Sequence, residues 1–201
     1  MRYLALGDSY TIGEDVAEDE RFPAQLVGRL RADGWPTLES PEIVATTGWT
    51  TAELQGALAA APPRGRFDLV TLLIGVNNQY RGLPLEQYRR EFEALLDAAI
   101  VYAGERREGV IVVSIPDWGV TPFAQGRDRA RIASEIDSYN RANRDAAVRE
   151  RVNYVDITPI SRRVADDPGL IASDGLHPSG AMYRLWVELL LPKALAALSA
   201  G

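Results

Sequence analysis

A serine near the start of the chain has the setting of a nucleophile. Ser9 follows the short apolar run 3–6 and the pair Gly7-Asp8. Such a run is typical of a strand buried on both faces, and the glycine ends it in a tight turn. The turn would hold the Ser9 hydroxyl at the C-terminal edge of a parallel sheet, where ligands bind. Because these residue types are also common turn formers, a turn without chemistry is the alternative.

A candidate base lies near the other end of the chain. His177 is the only histidine, so a serine nucleophile that used an imidazole base would have to use this one. Asp174 precedes it by three residues, with Gly175 between them to allow a turn. An aspartate there can bond one ring nitrogen and leave the other for a hydroxyl, which is the arrangement of a catalytic triad. The alternative is a surface histidine before a C-terminal helix that opens at Pro178.

The elements that would position these residues alternate between two patterns. Short apolar runs predict five strands, at 3–6, 43–45, 67–74, 110–115 and 152–157. Helical spacing predicts helices after each strand, at about 22–34, 51–61, 84–99, 132–139 and from 178, with Pro192 expected to kink or end the last. Alternation of this kind predicts a parallel sheet covered on both faces.

Two further polar or flexible residues fall at the same edge of this sheet. Gly48 follows the second predicted strand and Asn77 follows the third, as Ser9 follows the first. Because the C-terminal ends of parallel strands share one edge, the topology brings these three residues together. His177 lies beyond the fifth strand, after a long loop, and can reach the same edge.

Taken together, four stretches resemble the sequence blocks of the SGNH (GDSL-type) hydrolase family, in the family's order and over nearly the whole chain. These blocks are Gly7-Asp8-Ser9-Tyr10, Thr47-Gly48-Trp49, Gly75-Val76-Asn77-Asn78 and Asp174-Gly175-Leu176-His177-Pro178. Asn78 departs from the pattern, because many members have aspartate there. The resemblance implies a single domain over residues 1–201. It also implies a three-layer α/β/α fold with a five-stranded parallel sheet in the flavodoxin-like order 2-1-3-4-5.

The resemblance further implies hydrolysis of carboxylic esters through an acyl-enzyme on Ser9. His177 would act as the base and Asp174 would orient it. The backbone N–H groups of Ser9 and Gly48, with the Asn77 side chain, would form the oxyanion hole. No cofactor is required, and the expected partner is a small-molecule ester.

Aromatic residues on nearby loops could form the walls of a substrate pocket, although each could instead pack its loop onto the body. They are Trp49, Tyr80, Trp118 and Phe123. Trp49 is the first choice because it adjoins Gly48. Bulky groups so close to the nucleophile predict short acyl or acetyl esters.

Other functions fit the same residues. An acyl thioesterase or a carbohydrate O-deacetylase would use the same groups with a different pocket. A thioesterase acting on coenzyme A esters should carry basic side chains for the phosphates. Arg81, Arg127 and Arg129 lie on suitable loops, but nothing in the sequence marks them as a cluster. A non-catalytic binding module on a flavodoxin-like scaffold is the more distant alternative, because fold does not determine function.

Composition restricts the remaining classes. The net charge of −6 disfavours nucleic acid or an anionic membrane as a partner. One histidine, no cysteine and scattered carboxylates predict no metal site. No apolar run approaches the ~20 residues of a membrane span, and no signal peptide follows Met1. We therefore expect a cytoplasmic protein, and the sequence leaves its oligomeric state open.

Overall fold

The computed structural model describes residues 1–199, and a parallel sheet lies at its centre. The strands are β1 (Tyr3–Gly7), β2 (Glu42–Ala45), β3 (Leu69–Leu73), β4 (Val110–Val113) and β5 (Asn153–Val155). They lie in the order β2-β1-β3-β4-β5, and every neighbouring pair is parallel. The fold and strand order predicted from the sequence are therefore confirmed.

Helices cover both faces of this sheet. They are α1 (Ser9–Ile12), α2 (Phe22–Ala32), α3 (Thr51–Ala60), α4 (Val76–Tyr80), α5 (Leu85–Tyr102), α6 (Arg129–Glu150), α7 (Thr158–Ser161) and α8 (Gly180–Ser199). Within residues 1–199, none of them is both long and apolar enough to cross a membrane.

The apolar runs form the central strands because both of their faces are covered. Every residue of β1, β3 and β4 is buried. In the register of the central pair, Leu6 lies opposite Leu72. Burial of one such side chain is worth about 1.5–3 kcal/mol, so these strands anchor the edge at which the polar loops begin.

Two short helices begin where the sequence indicates only turns. α1 follows β1 after one residue, and Asp8 caps it by accepting a hydrogen bond from the backbone N–H of Tyr10 at 3.1 Å. α4 follows β3 after two residues, the second of which is Gly75 with a positive φ of 129°. Gly7 is required by close approach, because a Cβ there would lie 2.1 Å from Thr11 Oγ1. Ser9 and Asn77 thus lie in the first turns of helices rather than in open loops.

The last helix differs from its prediction at two points. α8 begins at Gly180 rather than Pro178, because Pro178 forms an antiparallel bridge with Ile171 and Ser179 provides the cap. The helix also continues through Pro192 to Ser199. Buried residues on both sides of the proline hold it against the sheet, which outweighs the poor helix propensity of proline.

Candidate active site

Ser9, His177 and Asp174 form one continuous chain of hydrogen bonds. The Oγ of Ser9 lies 2.9 Å from His177 Nε2, and His177 Nδ1 lies 2.5 Å from Asp174 Oδ2. Ser9 and His177 are both buried. In this geometry the imidazole can take a proton from the hydroxyl while the carboxylate fixes the ring's orientation and tautomer.

The second oxygen of Asp174 organises the turn that carries the histidine. Asp174 Oδ1 accepts the backbone N–H groups of Leu176 and His177, each at 2.9 Å. Partial burial by itself would raise the pKa of this carboxyl. The hydrogen bonds from the His177 ring and from the two N–H groups outweigh burial and lower the pKa. Asp174 is therefore held as the anion that a charged imidazole needs beside it.

A second carboxylate ties this turn to the segment after α1. Asp15 Oδ2 accepts hydrogen bonds from the hydroxyl of Ser173 at 2.6 Å and from the N–H of Asp174 at 2.9 Å. Asp15 reaches them from a left-handed backbone conformation, with φ of 61°. The sequence shows only a polar surface loop at 14–20, and no pattern there indicates this contact.

A cavity of about 170 Å³ opens beside the Ser9 hydroxyl. Gly48 and Asn77 both line it, as the sequence predicts from their places at the sheet edge. Asn77 Nδ2 donates to the carbonyl of Trp49 at 2.9 Å, which uses one of its two N–H groups. Ser9 is the first residue of α1, so its backbone N–H has no acceptor within the helix. These donors surround a space in which an oxyanion could be bound.

Side chains from the α4 region fix the Gly48 loop. Arg81 Nη2 donates to the Gly48 carbonyl at 2.5 Å, and the same guanidinium pairs with Glu53 at the start of α3. Gly48 itself has a φ of 83°, a conformation that favours glycine. The sequence suggests Arg81 only as a phosphate ligand, because a contact with a backbone carbonyl leaves no trace in residue spacing.

Three of the four predicted pocket aromatics line the cavity, namely Tyr80, Trp118 and Phe123. Tyr80 and Phe123 stand at the rim and are 45% and 42% exposed, whereas Trp118 is buried. The indole N–H of Trp118 donates to Gln79 Oε1 at 2.7 Å, which fixes the ring as a wall.

Trp49, the first choice for the pocket wall, is not among the residues that line the cavity. Its half-buried side chain packs against the core instead. The left-handed conformation of Gly48 redirects the chain, and Asn77 holds the Trp49 carbonyl rather than its ring.

Asp8 and Asn78, two polar residues of the motif blocks, adjoin the site residues Ser9 and Asn77. Burial raises the pKa of Asp8 to about 7, and only its Oδ1 has a hydrogen-bond partner within the described chain. Asn78 accepts the N–H of Thr51 at 3.1 Å and donates to the hydroxyl of the same residue at 2.7 Å. The amide of Asn78 thus holds the start of α3, and this role needs a donor that a carboxylate lacks.

Solved structures with this fold include several ester hydrolases. TesA superposes with a TM-score of 0.75 at 20% identity, over 98% of this chain and 100% of its own. The acetylxylan esterase Axe2 from Geobacillus stearothermophilus gives 0.71 at 21%, over 96% and 93%. A Parabacteroides merdae protein described as a GDSL-like lipase gives 0.74 at 16%, over 96% and 95%. No curated protein matches the chain by sequence.

A family model supplies the assignment that these distant structural likenesses cannot. The model of the GDSL-like lipase/acylhydrolase family matches residues 5–185, a span that contains Ser9, Gly48, Asn77, Asp174 and His177. The chain therefore belongs to the GDSL-like lipase/acylhydrolase family.

Proposed function

We propose that this protein hydrolyses short-chain carboxylic esters through an acyl-enzyme on Ser9. Membership of the family supports a hydrolase that acts on esters. The observation that carries the finer proposal is the hydrogen-bonded chain from Ser9 through His177 to Asp174, whose serine end faces a small cavity.

In the proposed reaction, Ser9 Oγ attacks the ester carbonyl carbon while His177 Nε2 takes the hydroxyl proton. The backbone N–H groups of Ser9 and Gly48 and the Asn77 amide stabilise the oxyanion of the tetrahedral intermediate. His177 then gives its proton to the departing alkoxide, which leaves the acyl group on Ser9. Water attacks the acyl-enzyme with the same base, and the carboxylic acid is released.

The size and lining of the cavity favour a short acyl chain. Its volume of about 170 Å³ lies below the range of about 300–1,000 Å³ that is usual for ligand pockets. Val76, Leu176 and the aromatic walls make it largely apolar. Each methylene that fits gains about 0.8 kcal/mol on burial. We therefore expect kcat/KM to rise from acetyl to about butyryl esters and to fall for longer chains.

The three arginines considered for coenzyme A are committed to separate contacts. Arg81 binds the Gly48 carbonyl, Arg127 lies over the aromatic rim, and Arg129 donates to the Thr121 carbonyl. This dispersal favours an ester over a coenzyme A thioester as the substrate. The name of the structural neighbour Axe2 makes an acetylated carbohydrate the second candidate substrate.

A fluorophosphonate probe tests the nucleophile directly. We expect stoichiometric labelling that maps to Ser9, with none in Ser9→Ala and very little in His177→Ala. Labelling at another serine, or undiminished labelling in His177→Ala, would contradict the proposal. A series of 4-nitrophenyl esters from acetyl to decanoyl tests the acyl preference, and an optimum at octanoyl or longer would contradict the assignment of short-chain esters.

A further inference from the structure

We propose that the alcohol part of the ester is a neutral, hydroxyl-rich molecule, a sugar or polyol, bound in a groove beside the Ser9 cavity. This inference rests on the proposed function and specifies its substrate. The groove has a volume of about 600 Å³ and lies between the end of α4 and the first half of α6. We call it the α6 groove.

The α6 groove and the Ser9 cavity adjoin one another. Tyr80 and Trp118 line both of them. In the proposed binding mode, the carbonyl of the ester lies at Ser9, the acyl chain occupies the small cavity, and the alcohol passes over the shared rim of Tyr80 and Trp118 into the larger groove. This placement matches the chemistry of the two spaces. The cavity that would hold the acyl chain is mostly apolar, whereas the groove that would hold the alcohol carries several charged and hydroxyl side chains.

The charges in the α6 groove are balanced. Arg127 and Arg131 contribute two positive charges, and Asp128 and Glu135 contribute two negative charges. Arg131 pairs with Glu135 at 3.2 Å. A groove without net charge offers no special attraction to the phosphates of a nucleotide. It offers both donors and acceptors, which is the mixture that neutral hydroxyl groups require.

The hydroxyls of α6 extend this mixture along one side of the groove. Ser134 is exposed in the groove and Ser138 lies one turn further along the helix. Ser138 already donates to the Ser134 carbonyl at 2.9 Å, which leaves its oxygen free to accept from a ligand. Both serines are therefore placed to exchange hydrogen bonds with an alcohol.

The rim between the two spaces is aromatic and held in place. The guanidinium of Arg127 lies 5.2 Å from the centre of the Tyr80 ring and bonds to its hydroxyl at 3.2 Å. Phe123 packs against Tyr80 with 6.2 Å between ring centres. Exposed aromatic faces give the C–H surface of a sugar ring an apolar contact beside its polar ones.

A chain of hydrogen bonds joins the groove to the cavity wall. Glu135 Oε2 accepts from Gln79 Nε2 at 2.7 Å, and Gln79 Oε1 accepts from the Trp118 indole, also at 2.7 Å. Glu135 therefore helps to set the position of Trp118. For this reason it is unsuitable for a test of the groove alone.

Two acetate esters of similar ring size test the proposal. One is a mono-O-acetylated methyl glucoside and the other is cyclohexyl acetate, which lacks the ring hydroxyls. Because the acyl group is the same, deacylation is identical. Each kcat/KM is divided by the rate constant for alkaline hydrolysis of the same ester, so that the different basicities of the two leaving alkoxides do not enter the comparison. We expect the wild type to have at least a tenfold higher kcat/KM for the glucoside. An equal or reversed preference would overturn the proposal.

Ser134→Leu, which fills the groove from an exposed helix position, should reduce that preference at least fivefold. Asp145→Leu is the matched control, because Asp145 is exposed on the same helix outside both spaces, and it should leave the preference unchanged. Equal thermal midpoints would exclude a folding defect. A proportional loss on both esters in Ser134→Leu would contradict the proposal. If 4-nitrophenyl acetate is cleaved and the glucoside is not preferred, only the groove assignment fails. If no acetate is cleaved at all, the proposed function fails with it.

Discussion

Asp8 and Asp174 each stand beside one member of the Ser9–His177 pair, but in opposite surroundings. Asp8 is wholly buried, and one of its oxygens has no partner within the described chain, so burial raises its pKa to about 7. Asp174 is partly exposed and its two oxygens meet the imidazole and two N–H groups, which lower its pKa. The residue type is the same, and the difference comes first from the depth of burial and second from the number of hydrogen-bond donors.

The two carboxyl groups therefore have different roles. At neutral pH only Asp174 is fully an anion, and only Asp174 contacts the ring of His177. The contact of Asp8 is with the N–H of Tyr10, where it caps the helix that carries Ser9. We infer that charge stabilises the turn that carries Asp174 and His177, here called the acid–base turn. The turn that carries Asp8 and Ser9, the nucleophile turn, is stabilised by burial and backbone geometry.

The largest expected effect separates the two aspartates by activity. Asp174→Asn should lower kcat by about 10⁴, because an amide favours the wrong tautomer of the imidazole and cannot stabilise its charged form. Asp8→Asn should stay within about tenfold of wild type, because asparagine caps a helix as well as aspartate does. Steady-state kinetics on 4-nitrophenyl acetate measure both. Comparable losses of kcat in the two variants would contradict the different roles of Asp8 and Asp174.

A smaller effect tests the donors on the nucleophile side. Asn77→Ala should lower kcat by about 10²–10³ with little change in KM, since the amide acts on charge that develops only in the transition state. Asn78→Ala is a neighbouring control, because its amide holds the start of α3 and should affect stability more than kcat. A raised KM with unchanged kcat in Asn77→Ala would make it a ground-state contact.

The acid–base turn can also be weakened from outside. Asp15→Ala removes the acceptor for the Ser173 hydroxyl and the Asp174 N–H, so we expect kcat to fall about tenfold through loss of alignment. KM should change little. Asp15→Asn keeps one oxygen that can accept both bonds and should restore most of the activity. Failure of asparagine to restore it would mean that the charge of Asp15 matters rather than the hydrogen bonds.

Sequence pattern predicts the parts of this molecule that depend on local order or on strand topology. The apolar runs predict the five parallel strands, the family resemblance adds their order, and the edge of the sheet then brings Ser9, Gly48 and Asn77 together. Asp174 and His177 are found because their spacing closes a turn.

Contacts between loops are different, because they depend on how distant segments meet. The bonds from Asp15 to residues 173 and 174 and from Arg81 to the Gly48 carbonyl have no sequence signature. Trp49 shows the same limit, since its adjacency to Gly48 suggested a pocket wall, whereas its side chain packs against the core. The course of α8 through Pro192 likewise depends on packing around it.

A separate effect, on stability rather than on kcat, has opposite signs for the two aspartates. The pKa of Asp8 rises on folding from its ordinary value of 3.8 to about 7. Wild type therefore loses stability relative to Asp8→Asn as the pH rises through that interval, because the unfolded chain releases the proton first. Three pKa units correspond to about 4 kcal/mol, which is an upper limit. Between pH 4 and pH 8, the free energy of unfolding of Asp8→Asn should thus increase relative to that of wild type.

Asp174 should behave in the reverse way. Its pKa is lowered on folding, so its contribution to stability is present above pH 3.8 and is lost as the pH falls through the folded value. Asp174→Asn should therefore be less stable than wild type near neutral pH, and the deficit should shrink in acid. Urea unfolding of wild type and the two variants across pH 3–9 measures these slopes. Parallel slopes for the two variants would mean that both carboxyl groups are equally charged in the folded protein, and the contrast between the two turns would be lost.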